Sequence, residues 1–176
     1  SLDALLSRPA RGGRSLAVLY VDVDGLRRVN NDHGHRAGDL LLTTIAARLR
    51  SELRADDLLA RVGGDEFVVV LPGVATVADA EHVAVKLTAA VTEPLTYGGH
   101  TLEPSISIGV ALSRTGLSAG DLLEEADQRL LQIKRAARGE TSPGADDDAE
   151  SGSAAPDDAA DDDVEDDEDD EDDEAV

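Results

Sequence analysis

Hydrophobic positions recur with two different periods along residues 16–137, and these periods predict strands and helices in alternation. An unbroken apolar run predicts a buried strand over residues 16–22. Apolar residues at helical spacing predict helices over residues 36–53, 77–91 and 118–137. The other β-patterned runs predict strands at residues 58–62, 66–71, 95–97, 100–102 and 106–110. The chain is therefore expected to mix helices and strands within one folded unit.

Two pairs of adjacent glycines lie between predicted strands. Gly63 and Gly64 separate the second and third strands, and Gly98 and Gly99 separate the two short strands. A two-residue hairpin loop of the primed type needs positive φ angles, which glycine adopts at little cost. We therefore expect a tight hairpin at each pair. The elements then form a β-α-β-β-α-β series, which predicts an α+β fold resembling the ferredoxin-like palm, with a central antiparallel sheet flanked by helices.

Carboxylates gather at the ends of two predicted strands. Asp22 and Asp24 end the first strand, and Asp65 and Glu66 follow the first glycine pair. If the two strands are neighbours, four carboxylates crowd one edge of the sheet, and such crowding is costly unless cations lie among them. The pattern predicts a divalent-metal site with oxygen ligands. Taken alone, Asp22 and Asp24 could instead cap the start of a following helix.

Composition narrows the classes of protein. The 176 residues are 41% hydrophobic, which is enough for one core. The absence of cysteine excludes disulfides and thiolate metal sites and favours a reducing, cytoplasmic location. No run approaches the ~18 consecutive apolar residues of a membrane span, so we expect a soluble chain without a membrane segment. The three aromatic residues do not accompany a basic stripe, which argues against direct nucleic-acid binding.

Negative charge is concentrated at the C-terminal end. Residues 141–176 contain 19 acidic and no basic side chains, whereas the whole chain has a net charge of −22. Residues 1–140 therefore hold 19 acidic and 16 basic residues, a net charge of −3. A segment with so few apolar side chains cannot offset its chain entropy by burial. We predict a folded domain over residues 1–140 and a disordered acidic tail over residues 141–176.

Five motifs in order resemble the GGDEF family, the diguanylate cyclases that make cyclic di-GMP from two GTP molecules. They lie at residues 21–26, 30–39, 63–67, 107–111 and 126–134. The resemblance extends from about residue 16 to about residue 139, and it implies the ferredoxin-like palm shared by nucleotide cyclases and polymerases. The family's opening motif is absent before residue 16, so we expect a fragment of a longer protein or a degenerate member of the family.

The resemblance implies a two-metal site. It places two Mg²⁺ or Mn²⁺ ions on the GTP phosphates, held by the carboxylates of Asp22, Asp65 and Glu66 and by the main-chain carbonyl of Val23. In two-metal phosphoryl transfer, one ion lowers the pKa of the attacking 3′-hydroxyl and the other stabilises the charge that leaves with pyrophosphate. Asp22, Asp65 and Glu66 are thus the expected catalytic residues, with Glu66 nearest the attacking hydroxyl.

The resemblance also implies a guanine pocket. It assigns Asn30 and Asp39 to binding the guanine base. A carboxylate can accept hydrogen bonds from the N1–H and N2–H₂ groups of guanine, which adenine does not offer. Without the resemblance, residues 30–39 could simply be a polar loop and the start of a helix. His33 and His35 have no third ligand nearby in the sequence, which makes a zinc site improbable. His35 matches a histidine of the family's active site, for which we expect a positioning role.

Basic residues are expected on the phosphates. Lys134 and Arg138 are one helical turn apart, so both can reach one point. The resemblance places both on the nucleotide's phosphates, although a solvated helix face with positive charge near its C-terminus would show the same spacing. Arg27 stands where the family usually has a phosphate-contacting lysine, which keeps the charge but changes the geometry. The role of Arg61 stays open between structure and catalysis.

A regulatory site is expected before the signature, the Gly-Gly-Asp-Glu-Phe motif at residues 63–67. Arg54 and Asp57 form an Arg-x-x-Asp pattern that is separated from Gly63 by five residues. This is the spacing of the family's product-binding inhibitory site. An arginine can donate two parallel hydrogen bonds to a guanine edge or a phosphate, while the aspartate accepts hydrogen bonds from another edge of the base.

Three functional hypotheses follow. The first is a diguanylate cyclase that condenses two GTP molecules into cyclic di-GMP and two pyrophosphates across a homodimer, with cyclic di-GMP as product and inhibitor. The second is a module that binds GTP or cyclic di-GMP as a sensor, with little or no catalysis. The third is an interaction protein that acts through its acidic tail. The complete set of Asp22, Asp65 and Glu66 favours the first hypothesis over the second.

Overall fold

A computed structural model describes residues 15–139, and the predicted acidic tail lies outside these residues. The helices are α1 (Leu26–His33), α2 (His35–Glu52), α3 (Val77–Val91) and α4 (Ala119–Ala137). The strands are β1 (Leu16–Val23), β2 (Leu58–Arg61), β3 (Glu66–Pro72), β4 (Leu95–Tyr97), β5 (His100–Leu102) and β6 (Ile106–Leu112). None of the helices in this range is long and apolar enough to span a bilayer.

The main sheet has four strands in the order β2-β3-β1-β6, and every neighbouring pair is antiparallel. Because β1 lies inside the sheet, its unbroken apolar run can be buried on both faces. The order and the flanking helices confirm the predicted α+β palm. The short strands β4 and β5 form a separate hairpin. Its turn is the expected two-residue type, since Gly98 and Gly99 have φ angles of 57° and 84°.

The two faces of the sheet bury different apolar clusters because successive side chains of a strand point in opposite directions. Leu19 and Val21 of β1 pack with residues of α2 and α3. Val18 packs on the other face with Leu122 and Ala126 of α4. Helix α4 is therefore the cover of one face, and the position of its C-terminal half depends on this packing.

Helix α4 lies close against the sheet at Gly109 of β6. A Cβ atom at this position would lie 2.0 Å from the carbonyl oxygen of Ala126 and 2.5 Å from the backbone nitrogen of Leu130. Both neighbours belong to the helix backbone, so they cannot rotate away. Glycine is thus needed here for space, and it allows the helix to lie directly on the strand.

Two features differ from the expectation. Helix α1 was not predicted, because its sequence has only Leu26 and Val29 as apolar residues and no side chain caps its N-terminus. The predicted two-residue turn at Gly63 and Gly64 is wrong, since neither glycine has a positive φ. The amide of Val62 donates to the carbonyl of Glu66 at 3.0 Å, which leaves residues 63–65 in the loop. Gly63 provides space instead, because a Cβ there would overlap the Glu66 carboxylate.

Candidate active site

The end of β1 carries polar side chains that face polar neighbours on both sides. Asp22 is opposite Glu66 of β3 and opposite Ser107 of β6. Residues directly opposite on antiparallel strands lie on the same face, with Cβ atoms about 4.5–5.5 Å apart. The strands that hold the two acidic pairs are therefore neighbours, as expected, and Asp22 and Glu66 project from adjacent positions.

Asp22 forms an ion pair with a lysine of α4. Lys134 Nζ donates to Asp22 Oδ1, and the two side chains are only 23% and 17% exposed. Burial raises the pKa of the Asp22 carboxyl, Lys134 lowers it, and the nearby charges of Asp65 and Asp24 raise it again, with a net upward direction. Burial and the neighbouring carboxylates together thus oppose the charged form of Asp22 more than Lys134 favours it, which is why the pKa is raised.

Glu66 lies between its own loop and a tyrosine. Its side chain covers Gly63, and Tyr20 lies diagonally across from it on the same face of the sheet. Burial raises the pKa of the Tyr20 hydroxyl, and the charges of Glu66, Asp127 and Asp22 raise it further. Tyr20 therefore keeps its proton at neutral pH and is available as a hydrogen-bond donor beside Glu66.

The loop that carries the signature is attached at two points. The amide of Val23 donates to the carbonyl of Asp65 at 2.9 Å, which ties the loop to β1. Arg61 Nη2 donates to the carbonyl of Gly64 at 2.6 Å. This contact gives Arg61 a structural role that the sequence left open. Both contacts hold the loop backbone, at Gly64 and at Asp65, next to the two signature carboxylates.

Asp24 does not act as a helix cap. Helix α1 has Gly25 as its N-cap residue and no side-chain hydrogen bond there. Asp24 Oδ1 instead accepts from Ser107 Oγ at 2.9 Å. The alternative explanation of the strand-end aspartates, in which they cap the next helix, is not the arrangement found.

An open cleft of about 370 Å³ lies at this end of the sheet. The predicted site residues that line it are Asp22, Val23, Arg27, Asp65, Lys134 and Arg138. The cleft thus brings two predicted metal-binding carboxylates together with three basic residues from α1 and from the C-terminal end of α4. The predicted residues outside its lining are Glu66, Asn30, His35 and Asp39 of the active site and Arg54 and Asp57 of the product-binding site.

The oxygen atoms at the cleft suit Mg²⁺ or Mn²⁺, which prefer carboxylates and carbonyls. Within residues 15–139, however, no three acidic or histidine side chains are arranged around one point that could hold a metal. The Asp22 carboxylate contacts Lys134, and the Glu66 carboxylate lies next to Gly63 of its own loop. The carboxylates of Asp22 and Asp65 and the carbonyl of Val23 are thus donors of the type that a divalent cation prefers, while Asp22 contacts Lys134 in the present arrangement.

Asn30 is half-buried on α1, with its Oδ1 atom buried against Gly38 of α2. Its Oδ1 atom has no hydrogen-bond partner among the described residues. A Cβ at Gly38 would overlap this atom, so a larger residue there would require the Asn30 side chain to move. An unpaired buried amide oxygen costs about 1–3 kcal/mol. Asp39 and His35 lie on the same part of α2 and are exposed to solvent.

The Arg54 and Asp57 pair forms a turn between α2 and β2. Asp57 is only 8% exposed, and its Oδ2 accepts from the backbone amide of Arg54 at 2.8 Å. Arg50 donates to the carbonyl of Asp57 at 3.0 Å. The Arg54 side chain is exposed, whereas the Asp57 carboxylate stabilises the turn.

Two neighbours of the site were missed by the sequence reasoning, namely Tyr20 and Ser107. Both lie on the same face of the sheet as Asp22. Tyr20 precedes Asp22 by two residues on β1, and Ser107 is opposite Asp22 on β6. The period-2 rule of strands could have identified Tyr20, because residues i and i−2 share a face. Ser107 required knowledge of which strand pairs with β1.

The palm-like sheet, with carboxylates at the end of its central strand and basic residues from a covering helix, defines a domain of the nucleotide-cyclase class. The sequence matches the family described as "Diguanylate cyclase, GGDEF domain" over residues 1–140. The chain therefore belongs to the GGDEF family.

Named relatives share this domain. The chain is 42% identical over 143 residues to the diguanylate cyclase TpbB of Pseudomonas aeruginosa, covering 78% of this chain and 33% of TpbB. It is 39% identical over 141 residues to the response regulator PleD of Caulobacter vibrioides, covering 78% of this chain and 31% of PleD. The chain thus spans about a third of the length of these curated relatives.

Solved structures show the same fold. The crystal structure of the GGDEF domain of TpbB from Pseudomonas aeruginosa superposes with a TM-score of 0.71 at 38% identity, covering 77% of this chain and 85% of that one. The active GGEEF domain of a diguanylate cyclase from Vibrio cholerae gives a TM-score of 0.69 at 26% identity, covering 77% of this chain and 86% of that one.

Proposed function

We propose that this chain is the catalytic domain of a diguanylate cyclase, which condenses two GTP molecules into cyclic di-GMP and two pyrophosphates. The observation that carries this proposal is the cleft at the end of β1. It combines carboxylates of β1 and the signature loop with basic residues of α1 and α4. Phosphoryl transfer needs this combination, because anionic phosphates must be bound while charge builds up on oxygen.

The carboxylates would hold two Mg²⁺ or Mn²⁺ ions through Asp22, Asp65, Glu66 and the carbonyl of Val23. Such ions lower the pKa of the attacking hydroxyl and offset the charge of the leaving pyrophosphate. Asp22 and Glu66 are well placed for this role because they lie opposite each other in the register of β1 and β3. Glu66 would also be nearest the 3′-hydroxyl, where it could accept the proton.

The basic residues of the cleft would bind the triphosphate. Lys134 and Arg138 both line the cleft from the last turns of α4, and Arg27 lines it from the first turn of α1. Their charges would neutralise phosphate oxygens in the ground state and in the transition state.

The base would bind between α1 and α2. Asn30 has a buried amide oxygen without a partner, which a guanine edge would satisfy. Asp39 would accept from the N1–H and N2–H₂ groups, and His35 would help to position the nucleotide.

Synthesis would need two domains, because each 3′-hydroxyl attacks the α-phosphate bound by the other subunit. A homodimer with two facing sites is the simplest arrangement. Cyclic di-GMP would also act as an inhibitor at Arg54 and Asp57. The exposed side chain of Arg54 supports ligand contact there, while the buried Asp57 would mainly hold the turn.

The test is to incubate the full chain with GTP and Mg²⁺ and to separate the products by HPLC. We expect cyclic di-GMP, formed at a rate per subunit that rises with protein concentration. Glu66→Gln should lower the rate by about 10² or more while GTP binding stays measurable. Glu81→Gln is the matched control, since Glu81 is exposed on α3. Product formation by Glu66→Gln at the control rate would refute the assigned role.

A further inference from the structure

The only basic residue that the described chain pairs with Asp22 is Lys134. The pair is mostly buried, with side chains that are 17% and 23% exposed. By contrast, the surface pair between Lys86 and Glu52 has a lysine that is 63% exposed. Lys134 and Asp22 are therefore held together in surroundings where water screens their charges less.

Asp22 needs a cation for a second reason. Asp24 and Asp65 line the same cleft as Asp22, so their negative charges lie close to its carboxylate. Lys134 is the basic residue of this cleft whose ammonium group contacts Asp22. The ammonium group therefore supplies positive charge to a carboxylate that would also help to hold the metal ions of the proposed site.

Lys134 also belongs to the cleft that would hold the phosphates. Its backbone is fixed by α4, which lies directly on β6 at Gly109. Its four-carbon side chain is flexible, so the ammonium group can move while the helix stays in place. A triphosphate in the cleft offers a stronger partner than one carboxylate, because it carries several negative charges.

We propose that Lys134 is a resident counter-cation of Asp22, which must move from the carboxylate to the nucleotide's phosphates before a metal ion can bind Asp22. This inference rests on the proposed function, because it assumes that phosphates and metal ions share the cleft. It has a specific consequence for the order of binding. The nucleotide-free domain binds divalent metal weakly, and metal and nucleotide enter together.

A purely structural ion pair leads to a different expectation. Removing one partner of a buried structural pair leaves the other charge uncompensated and destabilises the fold. Removing such a partner does not favour the binding of metal over the binding of nucleotide. If Lys134 competes with metal, its removal should strengthen metal binding and weaken nucleotide binding, so the two affinities should change in opposite directions.

The experiment measures Mn²⁺ binding to the nucleotide-free full chain by electron paramagnetic resonance at about 0.15 M salt, which screens diffuse binding by the acidic tail. Lys134→Met removes the charge and keeps most of the side-chain volume. We expect it to gain Mn²⁺ affinity of about tenfold or more, since an opposite charge at this range changes a carboxylate's proton affinity by about 10- to 1,000-fold. Lys86→Met is the matched control and should bind Mn²⁺ like the wild type.

Adding Asp22→Asn to Lys134→Met should abolish the gain, which separates this site from the tail. Calorimetry with a non-hydrolysable GTP analogue should show weaker nucleotide binding by Lys134→Met. Lys134→Gln repeats both measurements with a polar side chain if the methionine variant does not fold. Unchanged Mn²⁺ affinity in the folded Lys134 variant, or a gain that survives Asp22→Asn, would overturn the proposal that Lys134 must leave Asp22 before metal binds.

The outcome is independent of turnover. A Mn²⁺ gain in a protein that makes no cyclic di-GMP would support the counter-cation and refute the proposed function. Cyclic di-GMP synthesis by the wild type without any Mn²⁺ gain in Lys134→Met would refute the counter-cation alone.

Discussion

Replacing Gly109 with alanine should separate α4 from the sheet and damage the cleft at a distance. The new Cβ would lie 2.0 Å from the carbonyl oxygen of Ala126, whereas ordinary contact begins near 3.4 Å. The helix must therefore move outward by about 1.4 Å at this point. Gaps of 0.5–1 Å already forfeit about a quarter to a half of the dispersion energy of the contacts involved.

We expect Gly109→Ala to lower the free energy of unfolding by about 2–3 kcal/mol, near the upper end of the usual range for overpacking. The upper end applies because the obstructing atoms are backbone atoms of α4. The shift would also carry Lys134 away from Asp22. A displacement of about 1 Å at a catalytic site can cost about 10²-fold in rate, so we expect a loss of that order in cyclic di-GMP synthesis.

Urea denaturation and the HPLC assay measure the two effects. Gly120→Ala is the control glycine substitution, placed on α4 itself, since a Cβ there meets only Ser118 Oγ at 3.7 Å. This control should gain about 0.5–1 kcal/mol from helix propensity and keep its activity. A Gly109→Ala protein as stable as the wild type would refute the packing argument. Reduced stability with full activity would refute the link between helix position and the cleft.

Further predictions concern charge. The folded state raises the pKa of Asp22 above its ordinary 3.8, so wild-type stability relative to Asp22→Asn should fall as pH rises above 3.8, measured by urea unfolding between pH 4 and 7. A pH-independent difference would contradict this direction. Arg54→Ala should weaken cyclic di-GMP binding in calorimetry and relieve product inhibition, whereas Asp57→Ala should mainly destabilise the turn. Truncation after residue 139 should lower the KM for GTP at low salt and change little at high salt, unless the tail packs on the domain.

Much of the fold was predictable because the apolar pattern is strong. The first strand was predicted over residues 16–22 and observed over Leu16–Val23, and the helix predicted over residues 36–53 was observed over His35–Glu52. Helix α1 lacked such a pattern, since its sequence is mainly polar. Its existence depends on packing between α1 and α2, which no local propensity reports.

The candidate site was predictable in its residue types more than in its contacts. The neighbouring positions of Asp22 and Glu66 followed from the order of strands. The ion pair with Lys134 and the buried turn role of Asp57 did not, because both join segments whose side-chain directions depend on tertiary structure. The need for space at Gly63 was equally hidden, since a sequence shows a glycine without showing what lies above it.

The register between β1 and β3 links the buried position of Phe67 to the position of the adjacent Glu66 side chain. Phe67 is 2% exposed and packs in the cluster under α2 and α3, while the adjacent Glu66 points to the opposite face. A slip of β3 by one residue would exchange these faces. It would bury a carboxylate among apolar side chains, at a cost of several kcal/mol, and leave a phenyl ring beside Asp22. Burial of Phe67 therefore fixes the register of β3 and, with it, the position of the Glu66 carboxylate opposite Asp22.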